Sequence, residues 1–128
     1  MAGSLDDVEN YLIHLGRRYE KTDSTLLVAM SGGHLVAVQV IAPIVAIRVE
    51  IGPEPESDAK RLRFYRRLLE LNASDLMHTA YGIEGGKIVL SGALALENLD
   101  ANELESALSD VELALVRHTE ELTHSARD

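Results

Sequence analysis

Apolar residues fall at helical spacing in three stretches of the chain and at strand spacing between them. Leu5, Val8, Leu12 and Leu15 share one helical face. Ser4 followed by Asp7 forms a capping-box-like start, and Gly16 supplies a stop, which predicts a helix from about Leu5 to Leu15. The β-rich run Thr25–Met30, the turn Ser31-Gly32-Gly33-His34 and the return Leu35–Ile41 read as a hairpin. Pro43 cannot donate to a ladder and marks a break or tight connection. Val45, Ile47, Val49 and Ile51 then alternate with Ala46, Arg48 and Glu50, the period of a strand with one buried and one wet face. A Gly52-Pro53-Glu54-Pro55-Glu56 loop leads to Ser57, which can cap a second helix from about Asp58 to Leu71. A second hairpin pairs about Thr79–Ile83 with Lys87–Leu96 around Glu84-Gly85-Gly86. A last helix runs from near Asp100 to about Leu122, with Leu104, Leu108, Val111, Leu115 and Leu122 as its core stripe. Residues 123–128 are expected to fray.

Two of these helices present more apolar surface than one contact requires. On the second, Leu62, Tyr65 and Leu69 lie on one side, while Phe64, Leu68 and Leu71 lie roughly opposite. A helix packed on one side of a sheet needs a single stripe, so the second stripe is covered either by the chain's own loops and helices or by another subunit. For the subunit reading, Phe64, Leu68 and Leu71 are the interface candidates. On the last helix, Leu113 and Val116 stand off the core stripe and are candidates for partner contact. Glu105, Asp110 and Glu112 are expected to keep most of its remaining surface soluble.

The resulting order is α-β-β-β-α-β-β-α in one domain spanning residues 1–128, an α+β fold with an antiparallel sheet and its helices packed on one side. Apolar residues at 46% and charged residues at 26% are ordinary for a globular protein. With aromatics at 4% and no Trp, the core must be aliphatic and no aromatic platform for single-stranded nucleic acid is available. A net charge of −9 repels a phosphate backbone and argues against nucleic acid as a partner. Absence of cysteine removes disulfides, thiolate catalysis and Cys-type zinc sites. The N-terminal residues lack the basic and apolar regions of a signal peptide, and the apolar run Leu35–Ile47 is interrupted by Gln39 and Pro43 and too short to span a bilayer. A cytoplasmic protein without membrane contact is expected.

No catalytic motif emerges. Gly82-Ile83-Glu84-Gly85-Gly86-Lys87 lacks the spacing of a phosphate-binding loop, and Ile88 continues a strand where a Ser or Thr and a helix would be needed. Among His14, His34, His78, His118 and His124, no pair has H-E-x-x-H spacing, and Glu120/His124 or His118/Glu121 offer two ligands where a metal needs more. Neither Ser31-Gly32-Gly33 nor Ser91-Gly92-Ala93 forms a nucleophile elbow. No catalytic residue, cofactor or metal is therefore assigned. The basic cluster Lys60, Arg61, Arg63, Arg66 and Arg67, interleaved with Phe64 and Tyr65, reads as solvation between apolar stripes and as ion-pair partners for the acidic last helix or an acidic partner.

Three stretches carry a likeness to a known family. Arg66-Arg67-Leu68-Leu69-Glu70-Leu71-Asn72, Gly85-Gly86-Lys87-Ile88-Val89-Leu90 and Leu96-Glu97-Asn98-Leu99-Asp100-Ala101-Asn102-Glu103-Leu104-Glu105 resemble the second helix, second hairpin and last-helix start of the Tir-type chaperones of type III secretion and their YbjN-like relatives. The resemblance implies a non-catalytic homodimer with the second helix and its neighbouring strand at the two-fold interface. It also implies an extended segment of a secreted effector or other client, held by the first helix and first strands. The alternative within the same likeness is a YbjN-like regulatory or structural module with no export client.

Overall fold

The computed structural model describes residues 4–127. Helix α1 (Leu5–His14) is followed by strands β1 (Tyr19–Thr22), β2 (Thr25–Ala29), β3 (Leu35–Ile41) and β4 (Ile44–Pro53), helix α2 (Asp58–Ser74), strands β5 (Ala80–Glu84) and β6 (Lys87–Ala95), and helix α3 (Ala101–Arg127). The six strands form one antiparallel sheet in the order β1-β2-β3-β4-β6-β5. The expected α+β architecture is thus present, with one more strand than the sequence pattern shows. Tyr19-Glu20-Lys21-Thr22 has no apolar alternation. It joins the sheet through its ladder to β2, with the Tyr19 hydroxyl donating to Glu9 on α1 at 2.7 Å.

Each helix starts where a side chain relieves its unpaired amides. Ser4 Oγ accepts from the Asp7 amide, and Ser57 Oγ from the Lys60 amide. Asp100 and Glu103 form a reciprocal capping box, with the Glu103 amide donating to Asp100 at 2.8 Å and the Asp100 amide to Glu103 at 3.2 Å. At the end of α1, the amides of Gly16 and Arg17 bond back to Ile13 and Leu12. Helix α2 runs to Ser74 and α3 to Arg127, each beyond the expected end; residues 123–127 are helical, and Asp128 lies outside the described residues.

Turn chemistry sets the strand register. Gly85 and Gly86, both at positive φ, make a two-residue turn that leaves Glu84 opposite Lys87. Pro43 is the tight connection expected of it, joining β3 to β4 through a cis Ala42–Pro43 peptide with Ile41 opposite Ile44. Because opposed residues share a face, one side of the sheet carries Leu26, Val28, Val36, Val38, Val45, Ile47, Val49, Tyr81, Ile88 and Leu90, all buried. Val8 and Leu12 of α1, Phe64, Leu68 and Leu71 of α2, and Leu104, Leu108, Val111, Leu115 and Leu122 of α3 complete that core. The other face carries Leu35 and Ile41, both about half exposed, among Ala29, Ala37, Ala46, Ala93 and Ala95.

Gly92 marks a close approach of two chain segments. It lies opposite Ile47, and the segment entering β5 crosses directly over it. A Cβ there would sit 2.5 Å from the His78 carbonyl oxygen and 3.0 Å from Thr79 Cγ2. Gly92→Ala is therefore expected to destabilise the fold by about 1–3 kcal/mol, as overpacking against backbone does. An unchanged urea midpoint for that variant would show that the crossing is not close.

Candidate docking site

The polar side chains were expected to offer no catalytic constellation, and the apolar surface is what the fold leaves uncovered. Helix α2 runs beside β5, an edge strand. Between them is a groove of about 260 Å³ lined by Tyr65, Leu68, Leu69, Asn72, Tyr81, Gly82 and Ile83. Asn72 explains how an edge strand tolerates this position. Its side-chain amide donates to the Tyr81 carbonyl at 3.2 Å, and its carbonyl accepts from the Tyr81 amide at 2.7 Å. The side chain thus satisfies backbone groups that a further strand would otherwise pair with. Above the groove, Leu62 is 74% and Leu69 69% exposed, with Tyr65 half-buried between them, its hydroxyl donating to Glu54 at 2.5 Å.

In the single chain the stripe left exposed is not the one that carries the interface candidates. Phe64, Leu68 and Leu71, proposed as interface residues from the sequence, are 4%, 4% and 1% exposed in the single chain and pack against its own sheet. They have almost no surface left to give to a partner. The stripe facing outward is Leu62, Tyr65 and Leu69. Periodicity resolves two stripes but does not say which one meets the sheet. Leu113 and Val116 stand where expected relative to the core, on the outer side of α3 at 50% and 65% exposure among the described residues.

The family model CesT_Tir_1 matches residues 1–128. The chain belongs to the CesT_Tir_1 family. Among solved structures, it is similar to YbjN from E. coli, with TM-score 0.70 and 13% identity over 94% of this chain and 95% of that one. It is also similar to a chain of the heterodimeric ExoU–SpcU complex from the type III secretion system of Pseudomonas aeruginosa, with TM-score 0.66 and 18% identity over 94% and 95%. A third likeness is to the Yersinia pestis type III secretion chaperone SycH in complex with a stable fragment of YscM2, with TM-score 0.59 and 14% identity over 89% and 94%. At these identities the likeness is one of fold. No curated protein matches the sequence.

Around the groove, the charged residues act as ties between elements. Arg67 of α2 donates to Glu121 of α3 at 2.7 and 3.2 Å, the α2–α3 ion pair anticipated for the basic cluster. Arg61 pairs with Glu54 at 2.9 Å and Arg66 lies 3.8 Å from Glu70. The acidic residues of α3 do more than keep it wet. Arg17 bridges Glu105 at 2.7 Å and Glu112 at 3.2 Å, and Glu112 also accepts from the amide and hydroxyl of Ser31. Asp110 accepts from the amides of Met77 and His78 and, at 2.8 Å, from the Thr79 hydroxyl, so it holds the segment that crosses Gly92.

His118, unassigned from the sequence, is buried, with one ring nitrogen 2.8 Å from the Tyr81 hydroxyl and the other 2.8 Å from Asp75. The series hydroxyl, imidazole, carboxylate has the order of a nucleophile relay. Burial, reinforced by Asp75 and other nearby carboxylates, pushes Tyr81 far above the ordinary phenol range, so the hydroxyl holds its proton. Among the described residues, no group of three or more His, Asp or Glu is placed to hold a metal ion, and no helix is long and apolar enough to cross a membrane. The signal for the His118 pairing was weak: a histidine flanking a core stripe and an aspartate just past the end of a helix.

The clamps have a pH signature. The Arg17 guanidinium holds Glu105 below the usual carboxylate range. At Glu112 burial pushes upward, but the Ser31 amide and Arg17 together bring it below that range as well. A carboxylate depressed in the folded state gives stability that is complete above the unfolded value and is lost as pH falls through the folded one. Stability should therefore decline once the pH drops below about 4.5. Arg17→Met should cost about 1–2 kcal/mol at neutral pH, the lower part of the range for charged hydrogen bonds because Glu105 is partly exposed. It should also flatten the acid limb. An acid-unfolding curve followed by circular dichroism that is equally steep in wild type and variant would refute the clamp.

Proposed function

We propose that this protein is a non-catalytic, cytoplasmic, homodimeric chaperone-like protein that holds a segment of a partner polypeptide. The observation that carries the reading is the outward stripe Leu62–Tyr65–Leu69 beside the β5 groove. A monomer gains nothing by exposing two leucines at about 70% on one face of a helix beside an apolar groove, whereas an isologous contact would bury them twice. Antiparallel apposition of two α2 helices would set Leu62 against the partner copy's Leu69.

Family membership supports the partner-holding part of the reading. Its structural neighbours include a chaperone solved with a fragment of another protein and a chain solved in a heterodimeric secretion complex. In this chain, Leu113 and Val116 on the outside of α3 and the open sheet face around Leu35 and Ile41 remain for a client after the α2 groove is filled. The similarity to YbjN keeps a second reading, a regulatory or structural module with no export client.

Leu62→Asp combined with Leu69→Asp should halve the mass seen by light scattering while leaving the circular dichroism spectrum and melting cooperativity intact. Phe64→Asp, which places a charge in the core, should instead lose the fold. A dimer unaffected by the double substitution would move the interface elsewhere. A native pull-down from the source cell's lysate then separates the two readings. One dominant stoichiometric partner, released by Leu113→Asp with Val116→Asp, supports a chaperone or adaptor. A clean dimer with no partner favours the module.

A further inference from the structure

His118 is 3% exposed and has a polar partner on each side of its ring. Its Nε2 faces Asp75, which follows the last turn of α2, and its Nδ1 faces the Tyr81 hydroxyl on β5, both at 2.8 Å. Asp75 also accepts from the Ser74 hydroxyl at 2.8 Å. A carboxylate only accepts, so Nε2 carries a hydrogen. A phenol that keeps its proton donates it to Nδ1. The neutral, Nε2-protonated imidazole is thus the form that satisfies all three groups.

We propose that the Tyr81–His118–Asp75 chain is a proton-responsive pin: the neutral imidazole donates to Asp75 and accepts from Tyr81, tying the end of α2 and β5 to α3, and the charged imidazole reverses the Tyr81 bond and leaves the hydrogen of that hydroxyl without its acceptor. A charged ring donates from both nitrogens. Its bond to Asp75 becomes charge-assisted and strengthens. At Nδ1 the acceptor is gone, so the Tyr81 hydroxyl has to turn and accept, and its own hydrogen loses the partner it had.

The charged groups around the pin come from α2 and from α3. Asp75 faces the ring from α2, and Glu121 and Arg117 lie close to the pair on α3 itself. Arg67 of α2 reaches the site only through Glu121, and Asp110 acts on the Tyr81 side. Imidazoles change charge between about pH 5 and 8, where these carboxylates and guanidinia do not. Tyr81 is also the residue whose backbone Asn72 holds and which lines the α2–β5 groove, so the pin sits under the edge strand of that groove. The pin operates within one chain and does not require the groove to hold a second copy.

The test is a double-mutant cycle of Tyr81→Phe and His118→Gln, with folding equilibria from urea unfolding at about pH 7.5 and about pH 5.5. Glutamine can donate to Asp75 and accept from Tyr81 but cannot take up the proton. At the higher pH, Tyr81→Phe should cost about the same, roughly tenfold in the equilibrium constant, in the wild-type and His118→Gln backgrounds, so the two positions show no coupling. At the lower pH, where only the histidine background has reversed its bond to Tyr81, the two costs should differ and coupling should appear. Equal coupling at both pH values, or none at either, overturns the proposal. If His118→Gln does not fold, nitrogen-15 spectra of the wild-type imidazole replace it. They should show a neutral Nε2-protonated ring giving way to a doubly protonated one, with the Tyr81 ring signals moving over the same step. A ring that stays neutral throughout, or that titrates while Tyr81 is unmoved, also overturns it.

Discussion

A six-stranded sheet with a single layer of helices has to bury its aliphatic side with very few elements, and here α3 does most of that covering. Its apolar stripe, Leu104, Leu108, Val111, Leu115 and Leu122, supplies attraction without direction. Direction comes from the polar residues set between those leucines. Glu105 and Glu112 take Arg17, Asp110 takes the segment entering β5, His118 takes Tyr81 and Asp75, and Glu121 takes Arg67. Each bond reaches a different part of the chain, so together they fix where α3 lies along the sheet. Such bonds contribute about 1 kcal/mol or less each where exposed. More is lost where a buried partner would be left alone, as Tyr81 and His118 would be. The helix is held by its stripe and kept in register by its ties.

Much of this was legible in the sequence because it is local. Ser4, Ser57 and the Asp100–Glu103 pair act within four residues of themselves, and the Gly85–Gly86 turn needs only its neighbours. The alternation from Val45 to Val49 is equally local, and both hairpins and all three helices follow from such signals. What escaped depends on which surfaces meet. The α2 stripes were both visible, but only the sheet decides that Phe64, Leu68 and Leu71 face inward and Leu62 and Leu69 outward. Strand β1 has a polar sequence and exists by virtue of its ladder. The acidic residues of α3 look from the sequence like a solvated face. Their partners Arg17, Ser31 and Thr79 lie between 31 and 95 positions away, so no periodicity could reveal them.

The two edges of the sheet are managed differently, and this bears on what can dock. At Tyr81 on β5, Asn72 already occupies the outward amide and carbonyl, so another strand cannot pair there without displacing it. Contact on that side has to be made by side chains, which suits two α2 helices meeting across Leu62 and Leu69 better than a continuous sheet. Strand β1 is four residues long with Glu20, Lys21 and Thr22 exposed, a short and charged edge of the kind that discourages uncontrolled pairing.

Exposed apolar surface on this scale is compatible with solubility because of how charge is distributed. The open sheet face carries the pairs Arg48–Glu84 at 2.8 Å and Lys87–Glu50 at 3.1 Å, and Arg18 and Glu20 line a hollow with Ala29 and Leu35, so charge borders its apolar residues. The net charge of −9 makes copies repel one another at long range. Non-specific association through the open face is therefore opposed by the whole molecule's field. A ligand that brings positive charge along with apolar side chains meets no such barrier. The same aliphatic, nearly aromatic-free surface that gives little orientation to a flat ring or a phosphate chain suits an extended polypeptide, whose backbone can lie close over alanines while its larger side chains reach the leucines and isoleucines at the margin.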